Sequence, residues 1–213
     1  IEVDEENYYY TDRIGTEAAR QIGEFAKSDK PFFQYVAFTA AHWPIHAPEK
    51  SIQKYIKTYE GGWDKLRNQR YARMLEMGII DKEHWPLPLP EDRVKPWDTI
   101  DHKPWRIRNM AIYAAMVDHM DQAVGSLVEA LKKTKRMENT FIIYFHDNGA
   151  CPEHLSGNGW NTANNILAKA EKAGKTIAVG DKYDIPMGGP MTYGSVGHNL
   201  SLIHISEPTR PLD

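Results

Sequence analysis

Two short clusters carry the residue types that chemistry needs. Asp147-Asn148-Gly149 sets a carboxylate beside an amide oxygen, and hard divalent cations take oxygen ligands of both kinds. The glycine lets the chain leave sharply, so that both side chains turn the same way. An Asx-type turn after a strand uses the same residues, so the motif alone leaves both readings open. The second cluster is Ala-Ala-His-Trp-Pro-Ile-His-Ala-Pro over 40–48, with His42 and His46 four residues apart. A histidine at the end of a strand can donate to an anionic oxygen, bind a metal or shuttle a proton. Four-residue spacing puts two rings on one face only in a helix, and Pro44 and Pro48 oppose a helix. A His-x-x-x-His zinc site is therefore a poor fit. For each ring taken alone, simple packing or exposure is the competing reading.

The elements that must position these clusters are legible in the hydrophobic pattern. Ile14, Ala18, Ile22 and Phe25 recur at helical spacing, with Asp12 near the start to favour the positive end of the helix dipole. Phe32 to Thr39 is short, aromatic and β-branched, which predicts a strand covered on both faces, as in a parallel α/β sheet. His42 and His46 then lie in the loop leaving that strand's carboxyl end, a common place for ligand sites in open α/β sheets. Residues 51–78 predict one or two surface helices, and 84–105, with three tryptophans and five prolines, a long packed loop. Ile112, Met116, Met120, Val124, Leu127, Val128 and Leu131 mark the clearest helix, over 106–133, with Lys132, Lys133, Lys135 and Arg136 crowding its end. Thr140 to Phe145 is a second strand of the buried kind, and His146-Asp147-Asn148-Gly149 sits at its carboxyl end. Two such strands separated by helix predict an α/β fold with a parallel or mixed sheet. One further helix is expected at 164–173.

Composition narrows the function classes. The 213 residues include 26 Lys and Arg against 29 Asp and Glu, a formal charge of −3, with no long basic run. That balance gives no electrostatic footprint for nucleic acid. No apolar run approaches the ~20 residues that span a bilayer. Cys151 is the only cysteine, which excludes an internal disulfide and a cysteine-based zinc cluster. The opening Ile1-Glu2-Val3-Asp4 has neither an initiator Met nor the basic and apolar regions of a signal peptide, and reads as a cut into a longer protein. Leu200 to Pro211 reads as translated sequencing-adapter, so 200–213 is expected to be an artefactual tail and 1–199 the native portion.

Three segments in order carry a family resemblance: Phe-Thr-Ala-Ala-His-Trp-Pro-Ile-His-Ala-Pro, then Tyr-Ala-Ala-Met-Val-Asp-His-Met-Asp, then Glu-Asn-Thr-Phe-Ile-Ile-Tyr-Phe-His-Asp-Asn-Gly-Ala. From about Tyr8 to about Gly197 the chain resembles the type I, formylglycine-dependent sulfatases of the alkaline phosphatase superfamily. The resemblance implies part of an alkaline-phosphatase-like domain, helices around a mixed, largely parallel sheet. It implies a sulfuric ester hydrolase acting on an aryl sulfate or a sulfated carbohydrate, in the periplasm or secreted. Under it His42 matches the catalytic histidine that contacts sulfate, and His46 is a substrate-facing or neutral position. Asp147 and Asn148 match the pair that binds Ca2+.

Departures from the pattern accompany the matches. Ala41 stands where proline is usual and His146 where serine is common. The Cys-x-Pro-Ser-Arg type motif that yields the formylglycine nucleophile is absent. Cys151-Pro152-Glu153-His154 has its proline at the wrong offset and no arginine, so Cys151 is expected to be a loop residue beside the metal site. The upstream acidic ligands and a downstream lysine are also missing, so no turnover is expected from this chain alone. The rivals are a phosphodiesterase or phosphonate hydrolase of the same superfamily, and a non-catalytic calcium-binding module. Trp43, Trp63, Trp85, Trp97 and Trp105 are indoles that can stack on sugar rings or anchor loops to the body.

Overall fold

The computed structural model describes residues 8–89, 94–146, 161–180 and 182–197. Asp147, Asn148, Cys151 and the segment 200–213 lie outside the described residues. The framework is helical: α1 (Tyr10–Phe25), α2 (Glu49–Tyr59), α3 (Gly62–Glu76), α4 (Lys103–Lys133) and α5 (Asn161–Lys172). The strands β1 (Ala178–Val179) and β2 (Thr192–Tyr193) pair in parallel, Ala178 opposite Thr192 and Val179 opposite Tyr193.

The long α4 is the central post, packed against both α1 and α2. Its buried residues Trp105, Asn109, Ile112, Met116, Met120 and Ala123 step by three or four along one face. On α1 the buried residues are Thr11, Gly15, Ala18 and Ile22, whereas Phe25, expected in the stripe, is exposed. The reason is close approach: a Cβ placed on Gly15 would stand 2.5 Å from the Ala123 Cβ and 2.9 Å from its Cα. Small residues therefore set the crossing, and the larger Ile14 and Phe25 fall to its margins.

Two apolar clusters flank the post. Ile45, Ala47, Ile52, Ile112, Met116 and Met187 belong to one that joins α2 and α4 to the 40–48 loop. Trp63, Val94, Trp97 and Met110 form the other. Of the expected loop 84–105, the described residues before α4 carry one 3-10 turn at Trp97–Thr99, residues 103–105 already belong to α4, and the buried Trp97 and Trp105 pin the segment down while Trp85 is exposed. Trp63, Trp97 and Trp105 are all buried, so these three are core anchors and no platform for a sugar ring.

The two expected buried strands need a correction. Segment 32–39 is extended, and its residues alternate between half-buried and exposed, with Phe33 90% and Tyr35 73% exposed. Its inner face rests on α1, where Gln34 Nε2 donates to the Ala18 carbonyl at 3.1 Å and the Phe32 ring meets Phe25 at 5.3 Å. Segment 141–146 has no regular secondary structure and is exposed throughout, Phe141 at 88%. Neither pairs in a ladder among the described residues. A central strand of a parallel sheet is covered by neighbouring strands and by helices on both faces. The described residues provide only the helices on one face of 32–39.

Candidate functional site

The loop 40–48 is held by backbone contacts to the turn and strand at 187–196. Ile45 N–H donates to the Gly194 carbonyl at 3.0 Å and Ala47 N–H to the Gly188 carbonyl at 3.2 Å. Such contacts require main chains to approach closely, which the glycines allow: Gly188 has φ +103°, and a Cβ on Gly194 would sit 2.2 Å from the Met187 Cε. The loop contains two cis peptide bonds, Ala40–Ala41 and Trp43–Pro44.

Within this frame the two histidines differ. His46 is half-buried, and its Nε2 lies 2.5 Å from the Thr192 carbonyl oxygen. A carbonyl only accepts, so that nitrogen carries the hydrogen and the ring ties the loop to β2. Tyr9 O–H donates to the His46 carbonyl at 2.9 Å, and burial pushes the Tyr9 phenol up from its ordinary pKa. His42 is exposed, and its Nδ1 lies 2.6 Å from the Trp43 carbonyl oxygen. By the same logic Nδ1 is the donor, so in the neutral ring Nε2 keeps the lone pair. The His42 ring sits 4.8 Å from the Trp43 ring, and Trp43 meets Tyr193 edge-on at 6.0 Å. Burial raises the Tyr193 phenol. Tyr193 and Thr192 escaped the sequence-based site list because only the fold brings them to residues about 150 positions earlier. The glycine-rich run Gly188-Gly189-Pro190 was the available signal.

The base of α2, directly after the loop, is fixed by charge. Arg108 holds Glu49 with two bonds, Nη1 to Oε1 at 2.9 Å and Nη2 to Oε2 at 2.6 Å, while its Nε donates to the Met187 carbonyl at 2.7 Å. Arg108 first, and Gln53 second, lower the Glu49 carboxyl from 4.5 to about 2. A lowered folded-state pKa means stability that is fully present above about pH 4.5 and is lost as pH falls toward about 2. Urea titrations of the wild type and Glu49→Gln should therefore differ above that window and converge at its acid end. The gap at neutral pH should be within about 1 kcal/mol, because the carboxylate is largely exposed.

Comparison with known proteins decides the family. The Sulfatase family model matches residues 2–187. This chain belongs to the sulfatase family. An uncharacterized sulfatase of Schizosaccharomyces pombe is 36% identical over 146 residues, covering 68% of this chain and 26% of its own length. An arylsulfatase of Klebsiella aerogenes is 37% identical over 140 residues, covering 63% of this chain and 30% of its own length. Arylsulfatase J of Mus musculus is 26% identical over 157 residues, or 74% of this chain and 18% of its own. The chain thus spans less than a third of these curated relatives. Sulfatase domains are alkaline-phosphatase-like, and helices with a small parallel sheet make part of such an α/β domain.

A sulfatase implies a metal ion and a formylglycine. The Asp147 carboxylate and Asn148 amide oxygen suit a hard cation in donor type. Among the described residues no group of three or more His, Cys, Asp or Glu is placed to hold a metal, and no helix is long and apolar enough to cross a membrane.

Proposed function

We propose that this sulfatase chain contributes the sulfate-contacting histidine and part of the calcium site to a sulfuric ester hydrolase acting on aryl sulfates or sulfated carbohydrates, in the periplasm or outside the cell. The observation that carries the reading is the hydrogen bond of His42 Nδ1 to the Trp43 carbonyl within a chain matched by the family over 2–187. It leaves Nε2 as the working nitrogen. Protonated there, His42 donates to a sulfate oxygen or to the departing alcohol oxygen; neutral, it accepts a proton at the same atom. His46 serves the substrate by holding the loop to Thr192, and Trp43 with Tyr193 offers an aromatic surface beside His42.

Asp147 and Asn148 would hold Ca2+, which when bound withdraws charge from a sulfate oxygen. The nucleophile, a formylglycine, belongs to sequence outside these residues. The periplasmic or secreted location rests on the family resemblance.

The test uses the complete polypeptide that contains this segment, assayed on an aryl sulfate. His42→Ala should lower kcat by about 10²–10⁴-fold, as loss of a general acid does. Asp147→Ala should remove the calcium-dependent rise in thermal stability as well as turnover. Full activity in both variants would sink the reading. This chain by itself should show no turnover above its own His42→Ala variant.

A further inference from the structure

Where α1, α2 and α4 meet, three polar side chains form a chain of hydrogen bonds that the sulfate-ester reading does not use. Ser51 Oγ lies 2.8 Å from His119 Nε2, and His119 Nδ1 lies 2.6 Å from Asp12 Oδ1. The roles follow from the acceptor at one end. An ionised carboxylate cannot donate, so His119 Nδ1 carries the hydrogen. In the neutral ring Nε2 then holds the lone pair, and the Ser51 hydroxyl donates to it. This is the tautomer a base needs in order to take a proton from a serine.

We propose that Ser51, His119 and Asp12 constitute a base-activated nucleophile that accepts acyl or phosphonyl groups from activated esters. The residues are 68 and 107 positions apart in pairs, so the arrangement is made only by the packing of the helices. That packing is firm beneath it: Thr11 and Gly15 on α1, Ile52 on α2, and Ala115, Met116 and Met120 on α4 are buried. The Tyr9 ring meets His119 edge-on at 4.9 Å and 71°, which fixes the plane of the imidazole. His119 is only 12% exposed while Asp12 is 48% exposed, and Ser51 is half-buried. The base is thus sheltered in a cluster that opens to solvent. Ser51 also stands in the first turn of α2, whose positive end favours negative charge growing on an attacked carbonyl or phosphoryl oxygen.

With an ester, the Ser51 Oγ forms a bond to the carbonyl carbon and the bond from that carbon to the alkoxy oxygen breaks. The serine proton passes to His119 Nε2 and from there to the departing oxygen, leaving acyl-Ser51 and an alcohol.

A fluorophosphonate probe reports the same chemistry on the chain as it stands. The Oγ–P bond forms, the P–F bond breaks, fluoride departs and His119 takes the proton. Peptide mass spectrometry should find the adduct on Ser51 of the folded chain and no adduct after unfolding in urea. His119→Gln, checked for an unchanged circular dichroism spectrum, should label at least ~100-fold more slowly. Asp12→Asn should slow labelling as well, because the amide can donate to Nδ1 and reverse the tautomer. A folded wild type without an adduct on Ser51 overturns the proposal and leaves a brace between helices. So does labelling that persists in urea or proceeds equally fast in His119→Gln.

Discussion

Replacing Trp63 by alanine is expected to destabilise the fold by about 3–5 kcal/mol, the range for removing a fully buried large aromatic side chain. Trp63 is 0% exposed and meets Trp97 edge-on at 4.7 Å and 79°. Its Nε1 donates to the Lys95 carbonyl at 3.2 Å. Truncation therefore leaves a cavity among Val94, Trp97 and Met110 and deprives a carbonyl of its donor, two costs that add. Urea denaturation should show a lower midpoint at an unchanged slope. Trp85→Ala is the internal control: Trp85 is 60% exposed, and the bond it receives from Tyr71 O–H goes to its main-chain carbonyl at 2.7 Å. That variant should stay within about 0.5 kcal/mol of wild type. Equal losses in the two variants would contradict the division of the tryptophans into core and surface.

That division also shows where sequence reasoning stops. Apolar spacing located α1 and α4 and indicated one or two helices where α2 and α3 stand, because amphipathic spacing is a local property that the helix itself enforces. Which tryptophan is buried is not local. Trp63 is followed by Asp64, Lys65 and Arg67, and nothing in that stretch announces that its indole closes a cluster with residues thirty positions on. The two strand-like segments expose the same limit from the other side. Their composition predicts cover on both faces, and 32–39 keeps the alternation of a strand, yet cover depends on neighbours that the described residues do not provide. The α/β class is therefore carried by the pattern and the family more than by the short two-stranded sheet among the described residues.

At the site, the position of His42 at the end of an extended segment was legible from residue types and order. Its tautomer was not, because the partner is a main-chain oxygen whose direction depends on how the loop turns. His46 was read from the family resemblance as substrate-facing or neutral; its bond to Thr192 depends on a pairing 146 residues apart. Asp147 and Asn148 stand on the sequence motif and the family resemblance. The Ser51, His119 and Asp12 cluster leaves no motif at all, since its members come from three helices whose order along the chain matches no nucleophile signature.

Glycine on α1 offers the most direct test of how the helices are packed, because one substitution should have opposite signs at two positions of the same helix. A Cβ at Gly23 meets nothing within 4 Å. Gly23→Ala should therefore stabilise the protein by about 0.5–1 kcal/mol through helix propensity and a less disordered unfolded chain. At Gly15 the same methyl would stand 2.5 Å from the Ala123 Cβ and 2.9 Å from its Cα, atoms on the rigid central helix with no rotamer to escape into. The propensity gain is then outweighed, and Gly15→Val should cost more than the ~1–3 kcal/mol typical of overpacking, since β-branching adds bulk on both sides. Gly15→Ala combined with Ala123→Gly removes the nearer of the two overlaps and should recover part of the loss. The recovery in a double-mutant cycle then measures the contact itself. If Gly15→Ala were to stabilise the protein as Gly23→Ala does, α1 and α4 would not cross at this point, and the helix junction that assembles Asp12, Ser51 and His119 would lose its geometric basis.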